Sequence, residues 1–359
     1  MGVNVLVADL RAQPHPSAQA PAHDPLQETQ LLYGERVRVL RKRDGWAYVE
    51  AVEQPEFTHA NRWQGYPGWI PAAALIAWEP QRSTTIVVAE KWASTWQEAA
   101  VLTTSPWCFP LGTRLTASHA GADLWRVELL DGTTVWMQLH SAQSIAELAT
   151  LPAPDLRRLI IRSAQLFVGD PYYWGGRSPA APAPPASAGH GQDEALEARV
   201  TTEEAPSPGG NGLGSSSPRR WQGEDSAEGE AASASERRKG KPAGVPSEVT
   251  GVDCSGLVNL AYRAAGIDVP RDAHEQFLRA RAVTSIQPAD LIFLSKRGNP
   301  RRIVHVMLYA GDGEIIEGPG TGLAVRRIAL AERLGQPIDR LVPGTVVDGQ
   351  MVWFGSYLP

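Results

Sequence analysis

Up to about residue 148 the chain is a succession of short segments in which apolar and polar positions alternate. Turn residues such as Asp44-Gly45 and Asp131-Gly132 separate them, a pattern that predicts hairpin strands. The pattern occurs twice. Val7-Ala8-Asp9-Leu10-Arg11 is echoed by Val88-Ala89-Glu90-Lys91-Trp92, and Gly34-Glu35-Arg36-Val37 by Gly112-Thr113-Arg114-Leu115. Trp46-Ala47-Tyr48-Val49 is echoed by Trp125-Arg126-Val127-Glu128, and Gly68-Trp69-Ile70 by Val135-Trp136-Met137. Two small β-barrels fit, with most of the tryptophans as barrel core. Trp63 and Tyr66, in Trp63-Gln64-Gly65-Tyr66-Pro67-Gly68-Trp69, fall in a Gly/Pro-rich loop where burial is less expected.

From about residue 150 the period changes. Leu156, Leu159, Ile160, Ala164 and Phe167 recur at helical spacing behind Pro154-Asp155 and stop at Gly169-Asp170-Pro171. Residues 178–248 are dominated by Ala, Pro, Gly, Ser, Glu and Arg. Such a segment buries too little apolar surface to offset its ordering entropy and is expected to be disordered. Sequence on both of its flanks reads as one site, so it is an insertion within a domain rather than a linker. Closing so long a loop adds only a logarithmic cost. The expected domains are 1–80, 81–148 and 149–359.

A second helix begins at Cys254, with Leu257, Val258, Leu260, Ala261, Ala264 and Ala265 at helical spacing and Gly266 as its stop. Asp253 suits the N-cap. A cysteine at such a position faces unpaired N–H groups and the positive end of the helix dipole, both of which favour a thiolate. Lone cysteines often serve as small apolar filler, but the cap, Gly256 and a downstream histidine favour a nucleophile. A third helix is expected around residues 273–281, then a strand after Pro288-Ala289-Asp290. A hairpin follows, from Ile303 to Tyr309, through a turn at Gly311-Asp312-Gly313, and back from Glu314 to Glu317.

Cysteine proteolysis needs a base beside the thiol and a third polar group to hold the imidazole. His305 lies on the outgoing strand. A three-residue turn sets Met307 opposite Glu317, and Glu317 then lies diagonally across from His305 on the same face, where it can accept from Nδ1–H. A two-residue turn would put Glu317 on the other face.

Apolar residues are 43% of the 359, enough for ordinary globular packing, and the length suggests two or three cores. A formal charge of −5 argues against nucleic acid as the partner. Cys108 and Cys254 are the two cysteines, so a free nucleophile leaves no disulfide framework. No apolar run is long enough to span a bilayer, and residues 1–10 lack the basic region of a secretory signal. The expected location is cytoplasmic, with export possible if the start codon is misassigned. No metal-ligand spacing, phosphate loop or cofactor motif is found, so no cofactor is expected.

In their order, the doubled marks resemble bacterial SH3-like domains. Residues 150–177 with 249–359 resemble an NlpC-type papain-like cysteine peptidase domain. The matching motifs, in order, are Pro171-Tyr172-Tyr173-Trp174-Gly175-Gly176, Asp253-Cys254-Ser255-Gly256-Leu257-Val258, Pro288-Ala289-Asp290-Leu291 and His305-Val306-Met307-Leu308-Tyr309. With two SH3-like domains in front and Pro270-Arg271-Asp272 behind the cysteine helix, the chain is similar to YkfC-like γ-D-glutamyl-L-diamino acid endopeptidases.

This resemblance implies an α+β fold, a helix packed on an antiparallel sheet behind two small barrels. It implies hydrolysis of the γ-D-glutamyl–L-diamino acid bond in murein-derived peptides carrying a free N-terminal L-Ala. Cys254 is then the nucleophile and His305 the base and acid. The Cys254 N–H and the Tyr172 hydroxyl steady the oxyanion. Asp253, Ser255 and Asp272 match binders of the substrate's amino end, and Tyr66 walls off the pocket. The family's third polar residue is usually histidine, where this chain has Glu317, and its Tyr172 and Cys254 are separated by the insertion. An exported wall hydrolase, or a wall-binding protein with a decayed catalytic domain, are the competing expectations.

Overall fold

The alternating segments form strands, seven in each copy among the described residues. The first copy comprises β1 (Gly2–Val3), β2 (Val7–Arg11), β3 (Gln27–Leu32), β4 (Val37–Arg43), β5 (Trp46–Glu56), β6 (Gln64–Pro71) and β7 (Leu75–Ile76). The second comprises β8 (Ile86–Val88), β9 (Trp92–Trp96), β10 (Thr104–Pro110), β11 (Arg114–Ala120), β12 (Leu124–Glu128), β13 (Thr134–Gln138) and β14 (Ala142–Ser144). The first pairs as β3-β2-β6-β5-β4 with β1 on β7, the second as β10-β9-β13-β12-β11-β8-β14. Advancing every label of the first by seven reproduces the second, so the sequence repeat is a repeat of sheet topology. Gly34 and Gly112 take φ of 81° and 82° at equivalent strand junctions, a region that favours glycine. One echo is misplaced: residues 88–92 span the turn between β8 and β9, and β9 is the true counterpart of β2.

The computed structural model describes residues 1–17, 23–77, 83–98, 104–181 and 250–359. Most of the expected insertion lies outside them. Its first residue, Ser178, does not behave as an insertion residue: it is buried in a strand paired with Gly251.

The remaining elements are α1 (Ile145–Leu148), α2 (Ala153–Gln165), β15 (Arg177–Ser178), β16 (Gly251–Val252), α3 (Cys254–Ala264), α4 (Ala273–Arg279), β17 (Arg281–Ala282), β18 (Leu291–Lys296), β19 (Asn299–Gly311), β20 (Glu314–Glu317), β21 (Arg326–Ala329), α5 (Leu330–Leu334), β22 (Val346–Val347) and β23 (Gln350–Ser356). An antiparallel sheet runs β17-β23-β18-β19-β20-β21, with β22 on β23. Both of its faces are covered. Leu291, Phe293, Val306 and Leu308 share a core with α2 and α3, whereas Ile292, Leu294, Met307 and Ile315 pack with Leu330 and Leu334 of α5. Burial on two sides explains why β18 reads as an unbroken apolar run rather than as an alternation. Every residue of α3 is buried.

Three fully buried arginines tie this sheet-and-helix region to the first barrel. Arg177 pairs with Glu35 at 2.7 Å and Arg263 with Glu53 at 2.7 Å. Arg271 Nε donates to Thr29 Oγ1 at 2.7 Å. Burial alone would raise the Glu53 pKa, but Arg263 outweighs it and holds the group at about 2. A buried charge is tolerable only when so paired. The second barrel joins the same core through Phe109, Leu111 and Trp125, and Arg263 also caps the Gly112 carbonyl at 2.9 Å.

Candidate active site

The start of α3 is fixed by its cap. Asp253 is extended (φ −87°, ψ −179°), and its Oδ1 accepts the Gly256 N–H at 2.6 Å. The same carboxylate receives Arg271 through both terminal nitrogens (3.0 and 2.8 Å), Ser255 Oγ (3.2 Å) and the Gly175 N–H (3.1 Å). Asp253 and Ser255 do face the cleft, but Asp253 has spent its acceptor capacity on the scaffold. Gly256 permits a close approach: a Cβ there would lie 2.2 Å from the Gly176 carbonyl oxygen. By that contact, and by the bridge between Tyr172 and Val252, the Tyr172–Gly176 run is pressed onto α3. Positions 172 and 254 therefore share one cleft despite the intervening insertion.

The hairpin bearing His305 departs from expectation in its turn. Gly311 pairs with Glu314, so the turn holds two residues, Asp312 and Gly313, with φ of 52° and 77°. A two-residue turn should have reversed the face of Glu317. The register shift between Tyr309 and Gly311, with Ala310 as the extra residue, restores it: Leu308 pairs with Ile316, which sets Met307 level with Glu317. A second irregularity lies beside His305, since Leu294 pairs with His305 and Ser295 with Ile303, leaving Val304 bulged where the imidazole leaves the strand. Bulges of this kind re-aim side chains.

His305 and Glu317 meet at 2.7 Å, but through Nε2 rather than the expected Nδ1. The diagonal neighbour across the ladder reaches the far nitrogen of the ring, and His305 and Cys254 line the same cleft. Burial disfavours a charged ring. Hydrogen bonds to Cys254 and Glu317, and their charges, outweigh it and raise the His305 pKa to about 9. Glu317 is itself fully buried behind the imidazole. Burial would raise its pKa, but His305, Arg326 and Arg333 hold it at about 2. Arg326 donates to its Oε1 from Nε (3.0 Å) and Nη2 (2.7 Å), and Arg333 Nε to its Oε2 at 3.2 Å.

A cleft of about 440 Å³ opens over Cys254. Tyr172 lines it, 7% exposed, and burial together with the nearby Asp253 and Cys254 charges raises its pKa, so its hydroxyl remains a donor at neutral pH. Part of the cleft's lining is acidic. Tyr66 does not sit on a loop: it belongs to β6 and is 4% exposed, because Gly65 and Gly68 let that strand press against its neighbours. Its hydroxyl donates to Asp272 Oδ2 at 3.1 Å and lies 3.4 Å from Glu28 Oε2. Burial and the charges of Glu275 and Asp253 push the Asp272 pKa up to about 6, against the pull of Arg271. His59 stacks edge-on against Tyr66 and lies 3.8 Å from Glu28. Trp63 is 38% exposed under the guanidinium of Arg279.

Sequence reasoning did not find Glu28, Trp174, His274, Arg302 or Arg333, which also line the cleft. Arg326 had a signal available, since it is paired directly with Glu317 on the next strand.

A family model described as the NlpC/P60 family matches residues 220–335, and one described as a bacterial dipeptidyl-peptidase SH3 domain matches residues 18–54. The chain is 24% identical over 319 residues to a γ-D-glutamyl-L-lysine dipeptidyl-peptidase of Bacillus cereus, covering 84% of this chain and 70% of that protein. It is 23% identical over 317 residues to the protein of the same name from Bacillus subtilis, covering 86% and 77%. A crystal structure of an NlpC/P60 family protein from Bacillus cereus aligns over 100% of this chain and 99% of that one, with a TM-score of 0.65 at 21% identity, a likeness of fold. The chain thus carries an NlpC/P60 peptidase domain behind a bacterial SH3-type domain, and it is homologous to these Bacillus peptidases.

Proposed function

We propose that this protein is a cysteine peptidase that hydrolyses the γ-D-glutamyl–L-diamino acid bond of short murein stem peptides with a free N-terminal L-alanine. Cys254 Sγ attacks the γ-carbonyl carbon, and His305 Nδ1 takes the thiol proton and returns it to the leaving amine. Water, activated by the same ring, then releases the acyl group. Glu317 holds the imidazole through Nε2. The Cys254 N–H, one of the donors a helix start leaves without an intrahelical partner, and the Tyr172 hydroxyl receive the developing oxyanion. Gly318 keeps this corner open: a Cβ there would stand 3.4 Å from both the Cys254 nitrogen and the Tyr172 ring.

One observation carries the choice of substrate. The cleft over Cys254 is also lined by Glu28, Tyr66 and Asp272, the first two of them on strands of the first barrel. Two carboxylates and a phenol suit an ammonium group. Such a lining suits a chain that terminates there, as a freed peptide does and intact wall does not. The names of the Bacillus homologues agree with this reading.

The test is release of L-Ala-γ-D-Glu from a synthetic L-Ala-γ-D-Glu-L-Lys or diaminopimelate tripeptide, with Cys254→Ala as control. Release that disappears in the control, and slows at least tenfold on N-acetylation of the alanine, supports the proposal. Equal turnover of whole sacculi and free peptide would instead identify a wall hydrolase. No release between pH 5 and 9 would leave the barrels as the functional part.

A further inference from the structure

The cleft also holds a cationic wall that neither the nucleophile nor the acidic lining uses. Arg302 lies on β19, three positions before His305, and its Nη1 donates to Thr58 Oγ1 of the first barrel at 3.1 Å. Thr58 Oγ1 in turn donates to Glu275, which is buried behind it and does not face the cleft. Among the described residues Arg302 forms no ion pair, in contrast to Arg326 and Arg333, which are committed to Glu317. Arg302 lines the cavity.

Beside it stands His274, near the start of α4. The Ile303 N–H donates to His274 Nδ1 at 3.3 Å, so that nitrogen is the acceptor and the proton of the neutral ring sits on Nε2. Burial and the Arg302 charge both lower the His274 pKa, in keeping with a neutral ring. His274 therefore offers one N–H and Arg302 several, on the same side of the cleft. A planar guanidinium with a neighbouring N–H matches a carboxylate.

We propose that Arg302 and His274 form a carboxylate subsite that binds the free α-carboxylate of the γ-linked D-glutamyl residue. The inference rests on the proposed reaction. In a γ-linkage the side-chain carboxyl forms the scissile amide and leaves the α-carboxylate as an anionic branch between the ammonium and the reacting carbon. A cleft that holds acids for the ammonium and a thiol for the γ-carbonyl needs a cationic group for the branch between them, and the Arg302–Thr58 bond ties Arg302 to the barrel that supplies Glu28 and Tyr66. An α-peptide bond at this position would place no carboxylate there, so the subsite selects the γ-linkage itself.

The test compares L-Ala-γ-D-Glu-L-Lys with its α-amide counterpart, L-Ala-γ-D-isoglutaminyl-L-Lys, on wild type, Arg302→Met, Arg302→Lys and His274→Ala, with thermal melts as folding controls. Wild type should prefer the acid by about 10- to 100-fold in kcat/KM, the range of a hydrogen bond to a charged group. Arg302→Met should abolish that preference, mainly through KM on the acid, with a smaller loss on the amide, which gives up only a neutral hydrogen bond. Arg302→Lys should recover part of the preference. Equal cleavage of acid and amide by wild type, or an equal loss on both in Arg302→Met, overturns the subsite alone. No cleavage of either peptide by wild type overturns the reading of the reaction and the subsite with it.

Discussion

Replacing Glu317 by glutamine isolates what this carboxylate does for His305. Both of its oxygens are occupied, Oε1 by two Arg326 donors and Oε2 by Arg333 and His305 Nε2. Glutamine keeps the size but offers one oxygen and one donor group. With its oxygen toward Arg326, its NH₂ faces Nε2, which must then lack a proton. The ring's proton sits on Nδ1, facing Cys254, and the ring can neither take the thiol proton nor become imidazolium without setting two donors face to face. With its oxygen toward His305 instead, the NH₂ meets both Arg326 donors. Either arrangement costs a charge-assisted bond worth about 1.5–3 kcal/mol, or roughly 10- to 150-fold. Inverting the tautomer in a comparable triad costs up to about 10⁴-fold. The expected fall in kcat/KM is therefore between about 10² and 10⁴, borne mostly by kcat.

The same substitution should move the pH profile. The folded-state pKa of His305, about 9, lies above its ordinary value of 6.5, so the protonated ring persists through neutral pH and is lost as pH rises through 9. Without Glu317, the alkaline limb of kcat/KM should move down toward neutrality. The assay is dipeptide release from the tripeptide between pH 5 and 10. Glu317→Gln retaining wild-type activity within threefold, with an unmoved alkaline limb, would refute the role given to this carboxylate.

Other expectations follow from the same contacts. Asp272 must be ionised to hold an ammonium, and its pKa of about 6 predicts an acid limb there; Asp272→Asn should remove that limb, and Tyr66→Phe should shift it upward, because the Tyr66 hydroxyl bond favours the carboxylate. Arg271→Met strips the buried Asp253 of its bidentate partner and should lower urea-denaturation stability by about 3–5 kcal/mol. Gly256→Ala drives a methyl into the Gly176 carbonyl; the strain of overpacking, about 1–3 kcal/mol, should appear as a lowered melting temperature, with activity falling as the Tyr172 segment is pushed off α3.

What could be read from the sequence was what depends on near neighbours. Asp253, Cys254 and Gly256 announce a capped helix within four positions. The hairpin was legible from its strands and its Asp312-Gly313 turn, although its register was reached through the wrong turn length. A two-residue turn plus a bulge gives the same pairing as a three-residue turn, and alternation alone does not separate the two. Contacts between distant segments left no local trace. Glu28 reaches Asp272 only through Tyr66, and Thr58 reaches Arg302 across the barrel. Nor could residue type distinguish Asp253 as scaffold from Asp272 as an open carboxylate, since that difference lies in Arg271, which points both terminal nitrogens at one and approaches the other no closer than 3.6 Å.

On the proposed reading, the first barrel serves the reaction in two separate ways. It supplies Glu28 and Tyr66 to the lining of the cleft, and it holds α3 from behind. Thr29 fixes Arg271, which fixes Asp253, which caps the turn bearing Cys254; at the other end of the same helix, Glu35 and Glu53 neutralise Arg263. A module that merely tethered its neighbour to a polymer would have no reason to bury its acids against α3, because each buried charge would be stranded whenever the two parts moved apart. Those ion pairs therefore keep that lining and the sulfur at a fixed separation. On the proposed reading, that separation measures the distance from a terminal ammonium to a γ-carbonyl, and selection for a dipeptide's length follows from the same contacts that hold the helix in place.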